Sequence, residues 1–556
     1  MTGIVSFSEK GSAGLDGRCS LRSPSGQCRS APPPMYAKRC PGRRRGLVLL
    51  LVTIVIAMIS LAAYGFVARM QAEYKAAHLQ GERLQADCVA ASAIEQIAAL
   101  LELPRQERQS AGGMALNPDL FQSILVDGSH DDPWQGRFSI ISPGKADGSS
   151  PRWHFGVEDE STKLNLATLL EWERRAPGAG RAALLQLPAM TNSIADALLD
   201  WIDPDEVPRD YGAEADFYLG QNPPTQTANR PPSVIEELLM VKGVTRQLLL
   251  GTDSNLDYRP DARDPALADS DRAAGTMATT DVRPLAHYLT LYSAERNEDQ
   301  LGQARIFVND TNLTRLYQQL IERFPVEWAN YIVAYRQHGP YTGSESGKDT
   351  SEIAVDFAQP AKVLIDSSLD LVGTKVRVGS AADAPVIASP LADGAASYAA
   401  DLPRLCDGVT TVPDHVLRGR VNISLASREV LLAIPAVDES LAERIVATRG
   451  TSRAQPHGRT HAVWLLVEGL VDLAKMKQLL PHVTPGGDVA RAQIISCYGT
   501  GSPWSRWEVV VDGTQRPART AYFRDLRRLG QAFSTAQLMP DIPAIQSTTT
   551  NGTEEN

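Results

Sequence analysis

Residues 43–67 read RRRGLVLLLVTIVIAMISLAAYGFV. No charged residue occurs from Leu47 to Val67. At about 1.5 Å per helical residue, this run is just long enough to cross a hydrocarbon core of about 30 Å. Arg43, Arg44 and Arg45 lie directly before it, and almost nothing basic follows at once. That asymmetry predicts a cytoplasmic N-terminus and an extracytoplasmic remainder. A secretory signal would have a shorter apolar core followed by a small-residue cleavage site. The run is too long for that, so it reads as a retained anchor over 47–68, preceded by a basic leader over 1–46.

The remaining chain is long enough for three or four folded units. The net charge of −10 is unevenly spread. Residues 1–46 carry nine Lys/Arg against two Asp/Glu, a balance of +7, which leaves −17 for the rest. An acidic ectodomain repels phosphates, so nucleic acid is not an expected partner. Its carboxylates are suitable ligands for Ca²⁺. Cys19, Cys28 and Cys40 lie in the leader. Cys406 and Cys497 are the candidate disulfide of an oxidising compartment, with two separate buried thiols as the alternative. No C-x-x-C pair occurs, so a structural zinc site has no support.

Ser, Gly, Pro and Arg dominate residues 1–42, which predicts disorder there. Good helix formers continue past the anchor over 69–104, with Leu79, Leu84, Val89, Ile94, Ile97 and Leu101 as apolar positions and Pro104 as the stop. This outer half is amphipathic and needs a surface to lie on. Short β-branched and aromatic runs at 136–142 (GRFSIIS) and 153–157 (WHFGV) read as the first strands, within 130–158. RAQIISCY, RWEVVV and RTAYFR read as a three-stranded antiparallel meander within 487–533. The stretch 159–486 between them is mostly helical in pattern. The fold class is therefore α+β: a long N-terminal helix packed on a small antiparallel sheet, with a large mainly helical domain inserted between strands. The tail 534–556 is rich in Thr, Pro, Asn and Glu and reads as flexible and dispensable.

The insertion echoes itself. KLNLA (163–167), RIFVN (305–309) and RVNISL (420–425) each pair a basic residue with apolar residues and an asparagine, and a helix follows. A second helix follows each one, in IADALLDWID (194–203), WANYIVAYRQ (328–337) and LAERIVATRG (441–450). Three helix-hairpin-like units stacked into one domain are expected. A DNA-reading hairpin needs a Gly-x-Gly turn. Pro435-Ala436-Val437-Asp438 has no glycine and Val241-Lys242-Gly243-Val244 has one, so protein contact or a purely structural role is expected.

Asp200, Asp203, Asp205, Glu206 and Glu214 crowd one turn-rich segment around Pro204 and Pro208. Carboxylates this close repel unless a cation or backbone donors compensate. A Ca²⁺ site is one reading and a solvated acidic loop the other. Asp253, Asn255, Asp257 and Asp264 take positions one, three, five and twelve of an EF-hand-like loop, but Tyr258 replaces the glycine and an aspartate the bidentate glutamate. Catalysis has little support. Glu158, Asp159 and Glu160 read as charges at a helix N-terminus. His457 and His461 sit in a loop-like stretch with no nearby acid. No nucleophile elbow, P-loop or dinucleotide fingerprint occurs.

Taken in order, VEDESTKLN (157–165), DALLDWIDPD (196–205), GAEADFY (212–218), IEELLMVKGVT (235–245), VNISLASREVLLAI (421–434) and WLLVEGLVDL (464–473) resemble the minor pseudopilin general secretion pathway protein K family of type II secretion systems. The resemblance covers nearly everything after Arg43. It implies a pseudopilin fold and no enzymatic activity. It implies a prepilin-peptidase cut between Gly46 and Leu47, although family leaders are much shorter than 46 residues. Position five of the cut chain is then Leu51, where major subunits of this class carry a glutamate that pairs with a neighbouring N-terminal amine. Without that carboxylate a subunit can end a filament and leave no lone charge in lipid. Members of the family bind calcium. The partners implied are other minor pseudopilins, the major pseudopilin, the prepilin peptidase, the inner-membrane secretion platform and lipid around 47–68. The implied place is the inner membrane, single pass, with the bulk periplasmic. The alternative is an anchored extracytoplasmic binding protein with hairpin-like modules that never assembles.

Overall fold

A computed structural model describes residues 45–128, 134–144, 153–259, 261, 283–348, 355–379, 381, 384–449, 459–499, 504–530 and 532–540. Helix α1 spans Arg45–Glu102. Its part up to Tyr74 belongs to a unit of its own, and Lys75 onward to a second unit. Within the first unit, Leu47 to Val67 are exposed throughout, as an apolar rod without a protein partner is. This is the one helix among the described residues that is long and apolar enough to cross a membrane. Gly46, Leu47 and Leu51 all lie in its first two turns.

In the second unit the helix acquires a buried stripe. Ala86, Val89, Ala90, Ala93, Ile97, Ala98 and Leu101 recur at three- and four-residue steps. Four of the seven are alanines, which let the helix axis approach the sheet. Leu79 and Leu84, expected in the stripe, are exposed, so packing begins a turn later than the sequence suggests. After Pro104 a short helix, α2, covers Arg105–Ser110.

The sheet beneath is antiparallel and seven-stranded. Its path runs β1 (Ile124–Asp127), β2 (Gly136–Pro143), β5 (Val489–Tyr498), β6 (Trp504–Asp512) and β7 (Arg519–Asp525). Strand β3 (Trp153–Phe155) adds to β2, and β4 (Glu158–Asp159) adds to β5. The central pair sets Ile140 opposite Ile494 and Phe138 opposite Ser496. Phe138, Ile140, Ile494, Val509 and Val511 face the α1 stripe. Ile141, Ile495 and Cys497 point to the other face, as period-two alternation requires.

That other face is covered by Phe533 and by residues predicted to be tail. Phe533, Leu538 and Met539 are buried against it, and Ser139 Oγ donates to the Leu538 carbonyl at 2.9 Å. The expected flexible tail over 534–556 is therefore wrong for 534–540; the remainder lies outside the described residues. Of the two readings of Cys406 and Cys497, the structure has separate thiols and not the candidate disulfide. Cys406 packs near Ser368 in one core, while Cys497 sits in β5 with its Sγ 3.2 Å from Met539 Sδ in another. Thiols on different cores cannot approach to bonding distance without moving backbone.

Strands β2 and β5 are neighbours although about 345 residues of chain separate them. The intervening chain is built from short helices and two-residue strand pairs around its own apolar core. Each sequence echo contributes one such strand. Leu164–Asn165 pairs in parallel with Leu289–Thr290, Ile306–Phe307 with Val409–Thr410, and Val421–Asn422 with Val483–Thr484. The following helices are α3 (Leu166–Arg175) and α4 (Asn192–Ile202), α6 (Leu313–Arg323) and α7 (Val326–His338), and α8 (Arg428–Ala433) and α9 (Glu439–Arg449), with α5 (Ala215–Leu219) between the first and second pairs. Members of each pair contact one another.

Candidate cation centre

Thr191 caps α4 by accepting from the Ile194 amide. Asp196 and Asp200 stand one turn apart on this helix, and Asp203 follows its last residue, so all three project from one region of its surface. All three are buried. Asp196 Oδ1 lies 2.8 Å from Arg181 Nε. Asp200 is saturated: it accepts from Arg209 Nη1 at 2.6 Å, from the Arg209 amide at 3.2 Å and from the Ala213 amide at 2.8 Å. Arg209 Nη1 also donates to Asp203 Oδ2 at 2.6 Å. The loop 204–213 thus folds back over the end of α4. Gly212 is where it passes closest, because a Cβ there would collide with Asp200 Oδ2.

This folding leaves three acidic groups converging. Asp203, Asp205 and Glu214 each offer one oxygen, and these oxygens lie within 4.8 Å of one another. Glu214 is only 5% exposed, and neither of its carboxylate oxygens has a hydrogen-bond partner. Asp203 Oδ1 is likewise unpartnered. A buried carboxylate without donors is costly. Burial, then repulsion from Asp200, Asp203, Asp205 and Glu206, pushes the Glu214 carboxyl up to about 7. Burial also raises Asp203, against the pull of Arg209. Three hard oxygens with unfilled acceptor capacity suit a calcium-type cation, whose further ligands come from water or carbonyls.

Of the five predicted ligands, then, Asp203, Asp205 and Glu214 are brought together. Asp200 is consumed by Arg209 and backbone amides. Glu206 is exposed and lies outside the group. Arg209, the internal counter-charge, was missed in the sequence, although an arginine amid five carboxylates was the available signal.

The second candidate loop uses its side chains differently. Asp253 accepts from the amides of Asp257 at 3.1 Å and Tyr258 at 2.7 Å; Asn255 accepts from Asp257 at 3.0 Å, and Asp257 from Arg259 at 2.8 Å. These oxygens close turns of their own loop. Asp264 lies outside the described residues. The loop docks on the sheet through buried Arg506, whose Nη1 donates to the Asn255 carbonyl at 2.8 Å.

Glu158, Asp159 and Glu160 are more than helix-terminal charges. Glu158 pairs with Lys163 at 2.7 Å, Asp159 accepts from Asn422 Nδ2 at 2.8 Å, and Glu160 pairs with Arg491 at 2.5 Å. His461 does have an acid near it, Asp407 at 3.9 Å. His457 lies outside the described residues. The turn Pro435–Asp438 places Ala436 in the left-handed region at φ 69°.

Residues 162–251, which contain the whole converging group, match the family model described as Type II secretion system (T2SS), protein K. Two curated relatives are named for type II secretion system protein K. The one from Escherichia coli (strain K12) is 40% identical over 58 residues, 10% of this chain and 18% of that protein. The one from Klebsiella pneumoniae is 26% identical over 223 residues, 37% of this chain and 60% of that protein. The chain thus spans at most three fifths of the length of these relatives. Among solved structures, the GspK-GspI-GspJ complex from the enterotoxigenic Escherichia coli Type 2 Secretion System aligns with 81% of this chain and 98% of that chain, at 12% identity and a TM-score of 0.35.

Proposed function

This chain is a relative of the type II secretion system protein K family, and from that premise we propose that it is a membrane-anchored, non-enzymatic minor pseudopilin that caps and initiates a short extracytoplasmic filament supporting protein export. The observation that carries the reading is one continuous helix, apolar over 47–67 and alanine-striped over 86–98, on a chain that bears the protein K domain. The apolar part partitions into lipid, with the N-terminus cytoplasmic and the bulk periplasmic. Cleavage after Gly46 makes Leu47 the mature N-terminus and Leu51 its fifth residue. No carboxylate then waits in the bilayer for the amine of another subunit, so the chain ends a filament at no cost in buried charge. The stretch 159–486 acts as a bulky domain spliced between strands, a reading supported by the pairing of β2 with β5, and it obstructs further growth. The partners in this reading are the other minor pseudopilins, the major pseudopilin, the prepilin peptidase and the inner-membrane platform.

Asp203, Asp205 and Glu214 would hold calcium, which supplies the positive charge that their unpartnered oxygens lack. Its role in this reading is structural, pinning the 204–214 loop to the end of α4.

The test is the N-terminal residue of the protein extracted from membranes. Leu47 as the first residue supports the proposal. A chain starting at Met1, or a soluble form starting after Ala63, overturns it.

A further inference from the structure

The three echoed units share a construction that reaches beyond their strands. In each, a basic residue precedes the first strand and a threonine ends its partner strand. In the first unit Lys163 pairs with Glu158 at 2.7 Å and lies 3.6 Å from Glu160, and Thr290 Oγ1 donates to Glu160. In the third, Arg420 reaches Glu295 at 3.3 Å, and Thr484 Oγ1 donates to the same Glu295 at 2.8 Å. Both units therefore close a basic residue, a threonine and a carboxylate into one set.

The second unit lacks the carboxylate. Its basic residue is Arg305 and its threonine is Thr410. The side chain meeting Thr410 Oγ1 is the neutral Asn297, whose Nδ2 donates to it at 3.2 Å. Nδ2 also faces the carbonyls of Val412 at 3.0 Å and Asp414 at 2.9 Å, so three acceptors share its two hydrogens, and Oδ1 is left buried and unpartnered among the described residues. Arg305 gives its Nε to the Asp407 carbonyl at 3.1 Å, and among the described residues no carboxylate is within ion-pair distance of it. The two carboxylates that act on it from further away are engaged elsewhere, Glu295 with Arg105 and Arg420 and Asp407 with the Gln300 amide. Burial pulls Arg305 down more than these neighbours restore.

Arg305, Asn297 and Thr410 line a cleft of about 420 Å³ between one face of α6 and the loop 410–415. That volume lies within the range of small-ligand sites. Two other arginines of the cleft are engaged: Arg315 with Asp310 at 2.6 Å, and Arg323 with Asp299 at 3.3 Å. Exposed Glu322 and Asp414 stand at its opening.

We propose that this cleft binds a single carboxylate supplied from outside the chain, with Arg305 making the ion pair that Glu158 and Glu295 provide internally to Lys163 and Arg420. The acids at the opening disfavour polyanions, so the carboxylate belongs to an otherwise neutral or basic peptide. A glutamate or aspartate side chain and a free C-terminus share this chemistry.

The test uses the full chain in detergent micelles and fluorescently labelled hexapeptides read by anisotropy. One peptide has blocked ends and an internal Glu, one has an internal Gln and a free C-terminus, and one has blocked ends and no carboxylate. Binding of either carboxylate peptide, weakened roughly tenfold or more by Arg305→Gln, supports the proposal, and the peptide that binds names the source. Gln319→Trp, on the exposed face of α6, fills the cleft without touching the core and must weaken binding equally; it decides the matter if Arg305→Gln misfolds. The proposal is overturned if neither carboxylate peptide binds, if the carboxylate-free peptide binds as well, if inorganic phosphate displaces the peptide as readily as acetate does, or if the substitutions leave binding unchanged.

Discussion

Arg105, in the turn that follows the long helix, sets its Nη2 2.8 Å from Glu295 Oε2. The same nitrogen reaches Asp488, just before β5, at 3.3 Å, and Arg108 and Arg296 also converge on Asp488. The end of α1, the intervening domain and the central strand are thus joined through two buried carboxylates. Removing one partner of a buried pair strands the others. Asp488→Asn leaves Arg108 without its charge partner and Arg296 with Glu298 alone, and is expected to cost about 3–5 kcal/mol. Chemical denaturation of the full chain in micelles measures it. A loss below about 1 kcal/mol would show that water reaches the network.

The same groups set an acid limit. Despite burial, the surrounding arginines hold Asp488 and Glu295 below the usual carboxylate range, and Arg491 and Lys163 hold Glu160 at about 2. Folded values below unfolded ones mean that the stabilisation is complete above about pH 4.5 and is lost as pH falls toward about 2. Thermal melts should fall steeply as the pH drops below 4. Glu160→Gln should make the decline shallower.

Glu214 has the opposite sign. Its folded carboxyl sits at about 7, above the unfolded value, so its contribution is most favourable below about pH 4.5 and is lost as pH rises through 7. Without a cation, the charged form costs on the order of 1–3 kcal/mol. Glu214→Gln should therefore raise the melting temperature at pH 8 in EDTA. In the native protein CaCl₂ should raise it by several degrees, while Glu214→Gln should respond little. Equal calcium responses in the two proteins would remove Glu214 from the site.

Much of the fold was legible because its signals are long. An uninterrupted apolar run, an amphipathic continuation and β-branched strands bounded by Gly and Pro each extend over several residues, enough for periodicity to show. The two-residue parallel strands carry no period, so KLNLA, RIFVN and RVNISL declared their kinship without declaring that they pair. Asp203, Asp205 and Glu214 were within reach because acids were dense, but which acid Arg209 would take depends on how the 204–213 loop turns back. Residues 534–540 were misread because polar neighbours diluted Leu538 and Met539, whose partners lie across the sheet. Whether Cys406 and Cys497 pair was left open, because compartment chemistry says nothing about distance.

Those buried tail residues make a direct prediction. Leu538 is 1% exposed and packs with Ile141, Ile495 and Cys497. Leu538→Ala should cost about 2–5 kcal/mol, the range for a buried leucine whose cavity does not collapse. A cost near zero would mean that the segment lies loosely on the sheet.

Ala436 offers a change in the other direction. It joins α8 to α9 at φ 69°, where a Cβ crowds the following carbonyl and glycine does not. Ala436→Gly relieves that strain but also frees the unfolded chain, so the net gain is about 0.5–1 kcal/mol, read as a melting shift of a degree or two. The adjacent acids keep their places: Asp438 still accepts from the Leu441 amide at 2.8 Å, capping α9. A first glycine in this turn is one step toward the Gly-x-Gly hairpin that binds phosphate. Duplex DNA binding should nevertheless stay absent in Ala436→Gly, because Asp438 keeps a carboxylate beside the turn. Salt-dependent DNA binding by the variant would show that glycine content, not charge, separates this hairpin from the nucleic-acid type.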